Sequence, residues 1–526
     1  MFPKQCIRLR VPPERAASLH RHPVLAMAQG KRRIRSRIVR FYDTPQWDLR
    51  QASLALQVQN RGKGWQQRLV SLTDGGRLGV EKGGRSVLTR HKIQADRLEL
   101  LTMLRDPKVR HTFDRLDAGT LSHRFTLRSQ RRTLRLAREG GAPITLIEEV
   151  GEILDGNGKT PFHDLLVMAD ETNSALGYEV ALSLHAQLQG GLLFAAPAER
   201  VMADEQPLPF SYAWAWPALP MRKETDITKA YQQLSSTLLE QLFALIPQLL
   251  HGGSEGACQA QRTLAQRLEA LEAMDDWLVH LAHPEAAQVW GALRQELQDD
   301  QQWGVFLDDL LTPYADNLEE PFTTAPWTHR AQSQWQQGQR SWQLALHGTE
   351  FAQAVLGMGL WLARRGWLSR RDEDDQRETP PGLAQWVRER LEENNWPMVK
   401  GVKAGEPQGL QRMWRQWLLL TLFGRQFEQM SNASKGVVEL DLSLLEYGIY
   451  QEALDRAMAS VRFIYEVAPL AKRFKDVAVE ADGATQADFE AWFDTLMRQQ
   501  QGQMAQAMAE LELSAGFWVN GWGGRS

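Results

Sequence analysis

The sequence predicts an α+β domain followed by an all-helical one, and three observations predict it. Through about residue 205 the apolar residues alternate with period two in short runs, whereas from Thr225 to about Gly516 they recur at helical spacing. The charge divides as well: residues 1–135 hold 30 Lys+Arg and 10 Asp+Glu, a balance of +20, and the remaining 391 residues hold 31 and 54, a balance of −23. A chain of 526 residues is also too long for one core, so two or more domains are expected.

Cys6 to Val11 places Ile7, Leu9 and Val11 on one strand face and Cys6, Arg8 and Arg10 on the other. A short helix follows from Pro13, and a second strand spans 34–41. Strands over 53–60 and 64–71 form a hairpin around Arg61-Gly62-Lys63-Gly64. A strand near 86–93 and a helix over 95–104 come next. Strands near 121–128, 131–137, 143–150 and 162–169 follow, with a turn at Asp155-Gly-Asn-Gly158 and a helix over 171–188. Each strand sets a polar face against an apolar one. An antiparallel barrel with a polar lumen needs that pattern, and so does a half-solvated sheet. Residues 206–224, rich in Pro and aromatics, read as a linker.

One string narrows the choice. Phe41 to Gln59, FYDTPQWDLRQASLALQVQ, runs from an aromatic strand through an Asp-Thr-Pro turn to an alternating strand. It resembles the CYTH domain, the triphosphate-tunnel fold, whose members read roughly YYDTPDxxLRxxGLALRxR. The resemblance implies an antiparallel tunnel barrel over residues 1–205. A linker and a large helical domain after it, 225–526, is the order of CYTH–CHAD proteins, which resemble bacterial inorganic triphosphatases. In CHAD domains a helix carries HxLRVxxRRLR. The nearest stretch here, Gln259 to Leu271, keeps Arg262 and Arg267 but has Gln259 in the histidine position.

Triphosphate hydrolysis needs cations for the phosphate oxygens and a divalent metal held by carboxylates. The resemblance therefore implies Mg²⁺ or Mn²⁺ for an active member. The first-strand motif of the family, ExExK, falls on Cys6, Arg8 and Arg10, so both carboxylates are replaced. The LRxR strand becomes Leu56-Gln57-Val58-Gln59, and TxK becomes Arg68-Leu69-Val70. RxExE becomes Arg90-His91-Lys92-Ile93-Gln94, and the late ExExE strand keeps only Asp164. The terminal SKxxRG becomes Pro197-Ala198-Glu199-Arg200. The strand Ile147 to Glu152 retains Glu149 and Glu152 as the candidate metal ligands, with surface carboxylates at a turn as the alternative reading.

These residues point to a degenerate tunnel that keeps positive charge and loses metal chemistry. Arg8, Arg10, Arg68, Arg90, Arg131 and Arg132 are the expected anion-binding residues, and no catalytic residue is assigned. The expected partner is a triphosphate or polyphosphate-like anion bound with little or no turnover. The alternative is an active metal-dependent inorganic triphosphatase using substitute carboxylates. A third reading has the basic part docking on the acidic helices.

Other features add little. His280 and His283 read as a helix-surface pair rather than a metal site. The run Lys31 to Arg37 reads as a barrel rim, so nucleic acid is not the expected partner. Trp414 and Trp417, an i, i+3 pair, read as core. The amphipathic, Met- and Gln-rich helix around 496–508 reads as part of a bundle. No apolar run reaches membrane-spanning length, the N-terminus lacks an apolar signal core, and Cys6 and Cys258 support no disulfide framework. A reducing cytoplasm is the expected compartment.

Overall fold

The computed structural model describes residues 5–71, 87–136, 143–205, 216–314, 326–369, 382–389, 414–422, 442–473 and 483–514, apart from a few positions inside those ranges. The fold is α+β, with an antiparallel sheet early in the chain and helices after it. Its strands are β1 (Gln5–Arg10), β2 (Ala28–Asp43), β3 (Leu54–Asn60), β4 (Trp65–Ser71), β5 (Val87–Ile93), β6 (Ser122–Leu136), β7 (Ile144–Asp155) and β8 (Gly158–Ala169). They form one eight-stranded sheet in the order β1-β8-β7-β6-β2-β3-β4-β5. The hairpins 54–71 and 144–169 form as the turn residues dictate, with Gly64 and Gly158 at positive φ.

Four strands differ from expectation. The strands expected over 143–150 and 162–169 are longer, β7 running on to Asp155 and β8 beginning at Gly158, so that they meet at the turn. Residues 121–137, read as two strands, are one continuous β6. The polar pair Ser129-Gln130 does not break it, because Ser129 Oγ donates to Glu149 on β7 at 2.9 Å. β2 begins at Ala28 and not at 34, so the basic run lies within the strand. The expected helix over 95–104 shortens to Leu100–Met103.

The Asp-Thr-Pro turn has a local explanation. The Asp43 carboxylate accepts the backbone N–H groups of Thr44, Leu49 and Arg50 at 2.8, 2.9 and 3.0 Å. Thr44 Oγ1 donates to Asp48 at 2.8 Å and accepts its N–H at 3.0 Å. Together they satisfy the donors that open the single-turn helix Asp48–Gln51. Trp47 takes a left-handed φ of 61° and is buried. The Asp-Thr-Pro string is thus a turn-builder.

Antiparallel register puts paired residues on one face. The outer face carries Ile7, Leu9, Leu56 and Leu69, all buried. Leu54, Leu56 and Leu69 pack with Leu49, Met103, Val109 and Phe113, while helix Ser174–Leu188 covers β1 and β8. On the inner face, Val39, Phe41, Ala55, Val70, Phe125, Leu127, Ile153 and Phe162 share one cluster with Ala198 and Met202 of helix Pro197–Glu205. Val70 on β4 and Phe162 on β8 stand far apart in strand order, so the sheet curls around that helix.

The chain divides into two compact units. The first holds Met1–Ala213 and also Gln241–Ala260 and Leu344–Gly366; the second holds Trp214–Glu240, Gln261–Gln343 and Trp367–Ser526. Within the first, helix Thr349–Arg364 packs on helix Ser174–Leu188. A Cβ on Gly359 would overlap the Tyr178 ring, and His185 contacts the Thr349 carbonyl at 3.2 Å. Gly359→Ala is expected to cost about 1–3 kcal/mol by overpacking. Urea unfolding followed by circular dichroism checks it, and an unchanged midpoint contradicts this packing.

The described helices of the second half include Ile227–His251, Ser254–Trp277, Ala286–Val305, Pro326–Leu346, Leu442–Val467 and Gly483–Ser514. The Met- and Gln-rich stretch lies inside the last of these helices. Trp414 is buried, as core packing requires, and its indole N–H donates to Glu269 at 2.7 Å. His283 is not on a helix surface. Its Nδ1 accepts the N–H of Ala286 at 3.1 Å and caps helix Ala286–Val305, because the chain turns at 281–285. Trp417, His280 and most of 206–224 lie outside the described residues. Among the described residues, no helix is long and apolar enough to cross a membrane.

Candidate functional site

The sequence candidates divide between the two sheet faces. Register places Arg8 and Arg10 beside Asp164 on β8, Asp164 opposite Glu149 on β7, and Glu149 opposite Arg131 on β6. The same face continues through Arg37 on β2 and through Gln57 and Gln59 on β3 to Arg68 and Arg90 on β4 and β5. Arg8, Arg68, Gln59 and Glu149 are buried there, while Arg10 and Arg90 are exposed. Arg132 does not join them. It lies on the outer face, bonded to Glu148 at 3.3 Å and His20 at 3.0 Å. Glu152 is outward too, facing Arg128 at 3.7 Å. Adjacent residues of a strand point to opposite sides, which separates Arg131 from Arg132 and Glu149 from Glu152.

Along β1, β8, β7 and β6 of the inner face the charges pair closely. Arg8 Nη1 donates to Asp164 Oδ2 at 2.9 Å, and Arg200 Nη2, from helix Pro197–Glu205, donates to Oδ1 at 3.3 Å. Arg131 donates to Glu149 Oε2 at 2.9 Å, and Ser129 donates to Oε1 at 2.9 Å. All four carboxylate oxygens therefore have a donor. Burial would push the Glu149 carboxyl up, but Arg131, Arg37 and Arg8 outweigh it and hold it below the usual carboxylate range. Burial would likewise pull Arg8 down, yet Asp164, Cys6, Glu149 and Glu199 hold it above its ordinary value. Burial, with the cations Arg8 and Arg10, lowers Arg200 despite Asp164. Burial also brings Arg50 down to about 10, opposed by Glu199 and Asp43.

Arg37, Arg50 and Arg200 were not among the expected anion-binding residues. Arg37 was legible, two residues from Arg35 and Val39 on an alternating strand. Arg200 keeps the arginine of the SKxxRG match, but only the docking of its helix inside the sheet aims it at Asp164.

The divalent metal implied by the family resemblance can be tested against these groups. A magnesium or manganese ion needs converging carboxylates with free lone pairs. Glu149 and Asp164 stand opposite each other on the inner face, but their oxygens already accept from guanidinium groups, which repel a further cation. Among the described residues, no group of three His, Cys, Asp or Glu could hold a metal. The described residues do not fit the ion.

No known family model matches the chain, and no curated protein matches it. Solved structures similar to it include HpAC1 from Hippeastrum, described as a candidate adenylyl cyclase with a dominant triphosphatase activity. That likeness has 18% identity over 38% of this chain and 94% of the other, with a TM-score of 0.26. A candidate adenylate cyclase from Bacillus halodurans is 13% identical over 35% of this chain and 90% of the other, with a TM-score of 0.23. PH1819 from Pyrococcus horikoshii OT3 is 11% identical over 38% of this chain and 98% of the other, with a TM-score of 0.21. At these TM-scores none of the three assigns the chain to a family.

Proposed function

We propose that this chain is a CYTH-type tunnel protein whose inner face binds a triphosphate or polyphosphate-like anion with little or no hydrolysis. One observation carries the reading: the inner-face guanidinium groups of Arg8, Arg131 and Arg200 already hold oxyanions, the carboxylates of Asp164 and Glu149. Guanidinium forks suit phosphoryl oxygens equally well. The string from Phe41 to Gln59 supports the same reading, and the helical half is taken as CHAD-like from its order, length and helicity. The missing fit for a metal argues against turnover. A cytoplasmic location is part of the proposal, resting on the sparse cysteines.

Calorimetric titration with tripolyphosphate tests it. Binding is expected, and it should weaken steeply with added salt. Arg131→Gln should bind at least about tenfold more weakly, the loss of one charge-assisted contact. Arg132→Gln, on the outer face, should bind as the wild type does. Phosphate release is measured alongside with Mg²⁺ and with Mn²⁺. Sustained release would restore the metal-dependent triphosphatase, and absence of binding would leave the arginines to a structural role.

A further inference from the structure

We propose that Glu149 and Asp164 act as built-in competitors of the anion, occupying the guanidinium groups until a phosphoryl oxygen displaces them. This rests on the anion-binding reading and adds to it what sets the affinity. Asp164 bridges Arg8 and Arg200 through its two oxygens, and Glu149 receives Arg131 and Ser129 through its two. Both acids are nearly inaccessible, at 1% and 2% relative exposure, so they are not solvated surface groups. Each spans its donors as a phosphate would, with one negative charge in place of a polyphosphate's several.

Displacement has a chemical consequence. Around Glu149 stand Arg131 and Ser129 on β6, Arg37 on β2, Arg8 on β1 and Asp164 on β8, and the three guanidinium groups keep its carboxyl below the usual range. An incoming polyanion draws those cations away and adds negative charge. The Glu149 carboxylate then rises in pKa and takes a proton from solvent. Capture of the anion is therefore coupled to proton uptake and strengthens as pH falls. The opposing possibility is that the acids merely hold the arginines in their binding geometry, in which case removing them weakens binding.

Tripolyphosphate titrations of the wild type, Glu149→Gln and Asp164→Asn decide between these, each run in two buffers of different ionisation heat. The expected result is binding about tenfold tighter in either variant. Wild-type binding should also take up protons, and Glu149→Gln should lose that uptake. Wild-type binding without proton uptake, or weaker binding by the variants, overturns the competitor role and leaves the anion-binding reading intact. No binding by any of the three overturns both. If one variant fails to fold, the other and the wild-type proton count still decide.

Discussion

Replacing Arg8 by alanine is expected to destabilise the protein by about 3–5 kcal/mol and to remove tripolyphosphate binding. The magnitude follows from what remains. Asp164 stays buried, 2% exposed at its side chain, with its Arg8 donor at 2.9 Å gone and, among the described residues, Arg200 at 3.3 Å left as its ion-pair partner. Leaving half of a buried ion pair costs far more than the intact pair contributes, because the stranded charge keeps its desolvation penalty. Arg8→Lys separates charge from geometry. A lysine supplies the positive charge but cannot fork, so it should recover part of the stability and little of the binding. Urea unfolding followed by near-UV circular dichroism reads the first quantity and calorimetry the second. A loss below about 1 kcal/mol, the range of exposed pairs, would show that Arg8 and Asp164 are far better solvated than this geometry allows.

The second large effect lies in the helical half. Asp275, on helix Ser254–Trp277, is buried and accepts the hydroxyl of Tyr231 at 2.7 Å. Burial, reinforced by Asp276 and Glu272 and opposed by the Tyr231 bond, raises its carboxyl from 3.8 to about 7. A raised acid favours the protonated form in the fold. Its contribution is therefore fully present below the unfolded value near 3.8 and is lost as pH rises through about 7. The whole displacement corresponds to about 4 kcal/mol, of which about 3 kcal/mol falls between pH 5 and 8. Asp275→Asn keeps an acceptor for Tyr231 without the charge. It should be more stable than the wild type at pH 8 and match it near pH 4, as measured by urea unfolding. A wild-type-minus-variant difference that does not change with pH would mean that Asp275 is solvated or paired.

Much of the sheet was legible because strand faces are a local property. Alternation alone separated Ile7, Leu9 and Val11 from Cys6, Arg8 and Arg10, and the turn residues at 61–64 and 155–158 marked the hairpins. The same rule, carried through β6 and β7, separates Arg131 from Arg132 and Glu149 from Glu152; grouping each pair on one side overlooked the period of two. The ends of β2 and β6 were harder. What keeps Ser129 and Gln130 in a strand is pairing with β7, which lies outside any window of neighbouring residues.

The sequence by itself determined that an α+β part rich in strand arginines precedes a helical part, and which side chains share a face within each strand. Those follow from backbone periodicity and from residues a few positions apart. Only the tertiary structure decided that β1 lies beside β8, so that Arg8 meets Asp164, and that helix Pro197–Glu205 turns Arg200 to the same carboxylate. It also decided which acid of helix Ser254–Trp277 sits against Tyr231, and that helix Thr349–Arg364 packs on helix Ser174–Leu188. These contacts join residues more than 35 positions apart. They depend on which surfaces bury one another, and no local pattern in the chain records that choice.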